Sequence, residues 1–534
     1  MTSNIPTTET KRSIGDFARK PRTIVLCFDG TANEYGTKNT NVVKFYSLLK
    51  KGCQVDQICY YQPGIGTYFQ PGVVSPILHW GAAALDNAIA WYLSQHVLDG
   101  YKFLMQNYEV GDKVCFIGFS RGAYTARALA GMLHKIGLLS KDNDAQLPFA
   151  YRLYKSELEE SITIADGFKQ TFCRQVPIEF IGVWDTVASV GLLTRRTLPF
   201  VTNNTTIRTF RHALALDERR AKFRASYYQH TAPQLAGDVQ RPATSTKPSM
   251  MRRATTTLMR SFSDVTEDMA PADGSSKIKP SFWKRVSQER QLTLRRKPLP
   301  SQPTIVEQGG DSYTTNVREV WFAGGHADIG GGVAADTDEA SLADIPLRWM
   351  VHEAMRAQCG ILFDSKALAR LRIPTHNIFK PRTASSSSHS RPQATLHDFL
   401  PRRAATSPAE ERPRFNLDTH SSTHESVFMS DPGEHTELDE RMIEAAKQPI
   451  SDQLREHKSW WLLELMPTKF MWQSSDDSWI SEWSMHLGAG RGIPDRNGDP
   501  PIFHESVRVR MNDPELNYTP RARYASGKHK WNDE

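Results

Sequence analysis

KVCFIGFSRGAYTARALAGML, Lys113 to Leu133, decides how the chain is read. Val114, Cys115, Phe116 and Ile117 form a short apolar run between the polar Gly111-Asp112-Lys113 and Gly118, the pattern of a buried strand. Ala123, Ala126, Ala128, Leu129, Ala130 and Leu133 follow at helical spacing. Between the two stands Gly118-Phe119-Ser120-Arg121-Gly122, a Gly-x-Ser-x-Gly set in strand–turn–helix context. Such a turn lifts a serine oxygen clear of the sheet beside a helix N-terminus, whose N–H groups favour negative charge. The flanking glycines are expected because a Cβ would clash there. The plain alternative is a strand-to-helix turn with an inert serine, so the rest of the chain has to supply a base, an acid to orient it and oxyanion donors.

Working outward, short apolar runs alternate with helical patterns. Thr23–Phe28 reads as a strand ending in Asp29-Gly30-Thr31, and Gln57–Gln62 as a second. Asn41–Leu49 and Ala82–Phe103 read as helices. Ile178–Trp184 reads as a strand ending at Asp185, and Val317–Phe322 as one ending in AGGHADIGGG around His326, with a helix over Leu342–Ala357. Arg211–Phe223 reads as a short helix. Continuous apolar strands between helices predict a mostly parallel sheet with helices on both faces. Three strands ending at Ser120, Asp185 and His326 bring those residues to one edge of such a sheet. The order nucleophile, acid, base along the chain is that of α/β-hydrolases.

The blocks FDGTAN (28–33), GFSRGAYTAR (118–127), GVWDTVASVG (182–191), HALALDERR (212–220) and FAGGHADIGGG (322–332) together resemble the DUF2235 family. Its bacterial members include the catalytic domain of type VI secretion phospholipase effectors, and the segment 440–520 is similar to the extensions of fungal members. The resemblance implies an α/β-hydrolase fold and a Ser-Asp-His triad that maps onto Ser120, Asp185 and His326. It also implies a phospholipase-like ester hydrolase.

Around that triad the expected oxyanion donors are the N–H of Arg121 and one from Gly30 or Thr31. Asp29 and Asp328 are assigned supporting roles behind the catalytic residues. Each has an alternative: Asp29 as a helix or turn cap or a cation ligand, Asp328 as a metal ligand. Arg121 and Arg127 are candidates for attracting an anionic head group, Arg127 alternatively bridging to Asp217 or Glu218. His504 is an outside candidate for the base. No metal and no cofactor are expected, because acyl transfer at a serine needs neither.

Composition bounds the alternatives. The 534 residues carry a net charge of +7 and a mean hydropathy of −0.49, with 39% hydrophobic residues, low for a fully folded chain. The charge is local: residues 241–300 hold 13 Lys/Arg against 5 Asp/Glu. That argues for a basic insert rather than a nucleic-acid-binding surface. Six scattered cysteines, Cys27 and Cys115 among them in strands, fit reduced thiols. The N-terminus has no signal-peptide core, and Val73–Leu93 is broken by Pro76, His79, Asp86 and Asn87. The chain therefore reads as soluble and cytoplasmic, with a peripheral membrane contact left open.

The expected layout is a disordered leader (1–21), core (22–234), a disordered basic insertion (235–312) and core again (313–374). A second disordered insertion (375–438), a helical, Trp-rich segment packing on the core or capping the site (439–520) and a tail (521–534) complete it. Three functions fit the residues. The first is a serine hydrolase of acyl esters such as phospholipids. The second is a hydrolase or acyltransferase of small soluble esters. The third is an idle scaffold recruiting partners through its basic insert.

Overall fold

Eight short segments solve the same problem together, each hydrogen-bonding its backbone to neighbours, with the central strands buried on both faces. In the computed structural model they form one sheet in which every pairing is parallel. The structure describes residues 21–30, 35–64, 82–156, 158–187, 198–201, 204–228, 314–374, 432–465, 468–473, 479–493, 499–524 and 528–532. Both proposed disordered insertions lie outside these residues, apart from the end of the second.

In chain order, β1 (Thr23–Phe28) leads through α1 (Asn41–Leu48) to β2 (Gln57–Gln62). Next come α2 (Ala82–Asn107), β3 (Lys113–Phe119) and α3 (Ser120–Ile136). A two-residue ribbon, β4 (Leu138–Leu139) with β5 (Cys173–Arg174), brackets α4 (Leu147–Lys155) and α5 (Glu159–Phe172). The sheet continues through β6 (Ile178–Trp184), β7 (Ile207–Ala215) and β8 (Asn316–Phe322). An antiparallel hairpin, β9 (Thr468–Gln473) with β10 (Trp479–Ser484), stands apart from the sheet. The sheet is completed by β11 (Ile502–His504) and β12 (Lys530–Asn532), in the order β12-β11-β8-β7-β6-β3-β1-β2.

β1 and β3 lie side by side, but the chain leaves β1 toward one edge and β3 toward the other. Such a switch point opens a crevice at the strands' carboxyl ends, where Asp29 follows β1 and Ser120 follows β3. Alternate residues of β3 feed two cores. Val114 and Phe116 pack with α2 to α5, while Cys115, Ile117 and Phe119 pack with α1 and the helix Asp344–Arg356.

Four readings are corrected. Arg211–Phe223 is not a helix: β7 runs through Ala215 and sits between β6 and β8. Ala-Leu-Ala-Leu-Asp-Glu favours helix locally, but a central sheet position satisfies the backbone and pairs the two polar side chains, Arg211 with Glu353 and His212 with Glu319. The stretch Pro494–Val509, which its sequence suggests is loop and extended chain, contains β11 and the start of the helix Glu505–Asn512. The tail supplies the edge strand β12. The second insertion ends earlier than expected, because a helix spans Pro432–Lys447. It stops before Pro449, which cannot continue a helix. Among the described residues no helix is long and apolar enough to cross a membrane.

Candidate active site

The strand-to-helix corner is built as its glycines require. A Cβ on Gly118 would stand 2.7 Å from the Ala123 Cα, and one on Gly122 only 2.2 Å from the Phe28 carbonyl oxygen. Their absence lets α3 start tight against β3 and the end of β1. Ser120 itself is left-handed, at φ 56°, a conformation few non-glycine residues adopt. As the first residue of α3, it stands where the N–H groups of the opening turn have no acceptor inside the helix.

The hydroxyl of Ser120 donates to His326 Nε2 over 2.8 Å, and His326 Nδ1–H donates to Asp185 Oδ2 over 2.5 Å. The acceptor on one side and the hydroxyl on the other define the tautomer. All three side chains are buried. The His326 ring is held between Phe119 and Phe223, with centroids at 4.7 and 4.8 Å. Burial pushes the imidazole below its ordinary pKa against the pull of Asp185, so it is neutral and able to accept a proton near pH 7. The strands ending at 120, 185 and 326 thus bring these residues together as expected.

The acid is fixed by long-range partners. Asp185 sits at φ 38°, its Oδ1 accepting the Ala215 N–H at 3.0 Å. Arg491 closes on both oxygens, Nη1 to Oδ1 at 2.5 Å and Nη2 to Oδ2 at 2.8 Å. Burial would raise this carboxyl, but the Arg491 guanidinium and then His326 outweigh it and hold the pKa well below the carboxylate range. The next residue is secured too: the Thr186 N–H donates to His212 Nε2, and His212 Nδ1 faces Glu319 at 2.9 Å.

The histidine loop hangs from carboxylates. Glu218 accepts the His326 N–H and binds Arg220, while Asp217 accepts the Gly324 N–H, the Tyr518 hydroxyl and the Arg521 N–H. Asp328 does not touch the imidazole. It caps the short helix His326–Gly330 by accepting the Gly325 N–H, and it also accepts the Ser451 N–H. Burial raises its pKa to about 7.

Asp29 accepts hydrogen bonds from Thr40, Tyr61 and the Gly30 N–H, and its pKa is raised by burial to about 6. Thr40 in turn caps α1, so Asp29 braces a helix start. This removes Gly30 as a free oxyanion donor: at 2.6 Å its N–H is already held by the neighbouring carboxylate. Thr31 lies outside the described residues. Arg127 bridges to neither Asp217 nor Glu218; it donates to the carbonyls of Val201, Ser226 and Tyr227. His504 caps a helix with Ser506 and stacks on Phe322. Among the described residues no cluster of His, Cys, Asp or Glu is placed to hold a metal ion.

The residues missed from sequence are Arg491, Arg220, Phe223 and the role of Glu218. The block HALALDERR marked their neighbourhood around 218–220. Nothing in the Gly-rich Gly488–Ile493 run marks Arg491, since its partner is 306 residues away.

Comparison with known proteins agrees with the resemblance. A yeast protein, "Uncharacterized protein YEL023C" of Saccharomyces cerevisiae, is 29% identical over 547 residues, covering 89% of this chain and 77% of that protein. Two solved structures are similar at low identity. An uncharacterized protein from Pseudomonas aeruginosa shares 18% identity at a TM-score of 0.33, over 67% of this chain, which spans only 48% of that one. The Tle1 effector bound to the VgrG spike from the type 6 secretion system shares 16% identity at a TM-score of 0.27, over 67% of this chain and 77% of that one. Residues 22–353 match the family described as T6SS phospholipase effector Tle1-like, catalytic domain, and the chain belongs to that family.

Proposed function

We propose that this protein is a serine ester hydrolase that cleaves acyl esters of phospholipid type, with Ser120 as nucleophile, His326 as base and Asp185 as its orienting acid. The observation that carries this reading is the unbroken chain of hydrogen bonds from Ser120 Oγ through His326 to Asp185. In the cycle, Oγ attacks the ester carbonyl carbon while its proton passes to His326 Nε2. The oxyanion forms against the first turn of α3, where the Arg121 N–H donates. The imidazolium then protonates the departing alcohol, and water repeats the sequence to release the acid.

Two features support a lipid substrate beside the family. The Arg121 guanidinium, one residue from the nucleophile, takes no hydrogen-bond partner among the described residues, so a cation is left for an anionic head group. Trp461, Leu462, Leu465, Met485 and Leu487 are 39–71% exposed, and the Leu487 N–H on the Glu464 carbonyl ties their two strands of chain together. Trp460, beside them, packs on Phe223, which packs on His326. An apolar surface leading to the base suits a bilayer contact.

The test is fluorophosphonate labelling of wild type and Ser120→Ala, followed by fatty-acid release from phospholipid vesicles and from a short soluble ester. Labelling only in wild type, with release from vesicles, is the expected result. An unlabelled wild type supports the scaffold reading. Turnover of the soluble ester alone supports a small-ester hydrolase.

A further inference from the structure

Resting on the serine-hydrolase reading, we propose that Arg491 is a positioning residue for catalysis: it squares the Asp185 carboxylate to His326 and sets the charge that the imidazole faces. Arg491 belongs to the C-terminal segment, well beyond the family match over 22–353. It is buried, as is the carboxylate it clamps. Its two terminal nitrogens each take one oxygen of Asp185, and each also donates to a carbonyl, Nη1 to Ala215 and Nη2 to Phe223. Ala215 gives its N–H to Asp185, and Phe223 packs edge-to-face against the His326 ring. The guanidinium therefore joins the acid loop, the end of β7 and the wall of the base. A planar fork fixes the carboxylate plane in a way that a single N–H cannot.

The charges around His326 give this a measurable signature. Asp185 accepts from Nδ1 at the end of β6; in the loop after β7, Glu218 accepts the His326 backbone N–H and binds Arg220, and both charges act on the ring. Arg491 approaches from the C-terminal segment. Asp217 and Asp328 lie on the same loop system, bound to backbone N–H groups. His212 sits below Thr186 with its own partner, Glu319. The ring thus meets the charges of Asp185, Glu218 and Arg220, while Arg491 balances the Asp185 carboxylate that it clamps. Removing the Arg491 charge leaves a negative excess that favours the imidazolium, so the base is protonated at higher pH.

The experiment compares wild type, Arg491→Gln and Arg491→Lys in kcat, KM and the pH dependence of kcat/KM on an ester. In parallel, His326 is titrated by NMR, its signal assigned by its loss in His326→Gln. For Arg491→Gln, kcat should fall at least about tenfold, short of the ~10⁴-fold loss on disabling a triad aspartate. KM should stay near wild type, because Arg491 spends its donors on Asp185, Ala215 and Phe223. The acidic limb and the His326 titration should move up by about one pH unit. Arg491→Lys should restore the limb but not the full kcat, since an ammonium cannot fork. An unmoved limb and titration in Arg491→Gln overturn the proposal. If that variant does not fold, wild-type kcat in Arg491→Lys overturns it instead. A wild type without activity refutes the hydrolase reading, while the NMR titration still decides whether Arg491 sets the imidazole's charge state.

Discussion

Ser120 and Asp185 make an instructive pair. Each follows the last residue of a buried strand, and each has a positive φ, 56° and 38°. The serine corner is marked by residues within a few positions, Gly118 and Gly122, whose missing side chains let α3 close on β3 and on the end of β1. The aspartate corner is held from afar, by Ala215, His326 and Arg491. One strained residue is over-determined by local sequence and the other by tertiary contacts.

The largest expected effect separates the two corners most sharply. Ser120→Ala and Asp185→Asn should each lower turnover by about 10⁴-fold or more, but they should differ in stability. Ser120→Ala removes a hydroxyl that braces nothing else, and its thermal midpoint should stay near wild type. Asp185→Asn leaves the Arg491 charge buried without its partner, at a cost of roughly 3 kcal/mol or more. Equal thermal midpoints for the two variants would show that the acid corner is not held together by that ion pair.

Next in size is Gly122→Ala. A methyl 2.2 Å from the Phe28 carbonyl forces α3 away from β1, at about 1–3 kcal/mol for overpacking, and it should displace Ser120 enough to slow fluorophosphonate labelling. Wild-type labelling in this variant would mean that the corner tolerates more movement than its contacts suggest.

A smaller, graded effect concerns pH. His326 must be neutral to accept the serine proton, and burial lowers its pKa. Activity should therefore be full at neutral pH and fall only as pH drops below about 6.5, the ordinary imidazole value. An acidic limb above pH 7 would contradict the burial of the ring.

The smallest effect concerns stability alone. Asp328 has its pKa raised to about 7 by burial, so the folded state holds a proton that the unfolded chain releases near pH 4. Its contribution is fully present below about pH 4 and is lost as pH rises through about 7. Asp328→Asn, which keeps an oxygen for the Gly325 and Ser451 N–H groups, should flatten the fall of the thermal midpoint between those values. Asp29, raised to about 6 for the same reason, should leave part of the slope in place.

What could be read without coordinates follows a physical line. Strands β1, β2, β3, β6 and β8 announce themselves because burial on both faces demands a continuous apolar run. β7 does not: Arg211 and His212 interrupt it, and they are tolerated only because Glu353 and Glu319 meet them in the fold. Gly30 looks like an oxyanion donor until Asp29 is seen to hold its N–H, and Arg127 looks like a partner for Asp217 until three carbonyls are seen to surround it. Each of these errors concerns a polar group whose partner only the folded geometry reveals, next door for Gly30 and distant for Arg211, His212 and Arg127.

By itself, the sequence determined the α/β class, the serine corner and the order of Ser120, Asp185 and His326, because period, glycine placement and chain order are local properties. The tertiary structure alone decided that Arg491 clamps Asp185, that Glu218 and Asp328 tether the histidine loop, and that Lys530–Asn532 form a sheet edge. Those are choices of partner for buried charges and unpaired backbone groups, and a partner hundreds of residues away leaves no periodic trace in the chain.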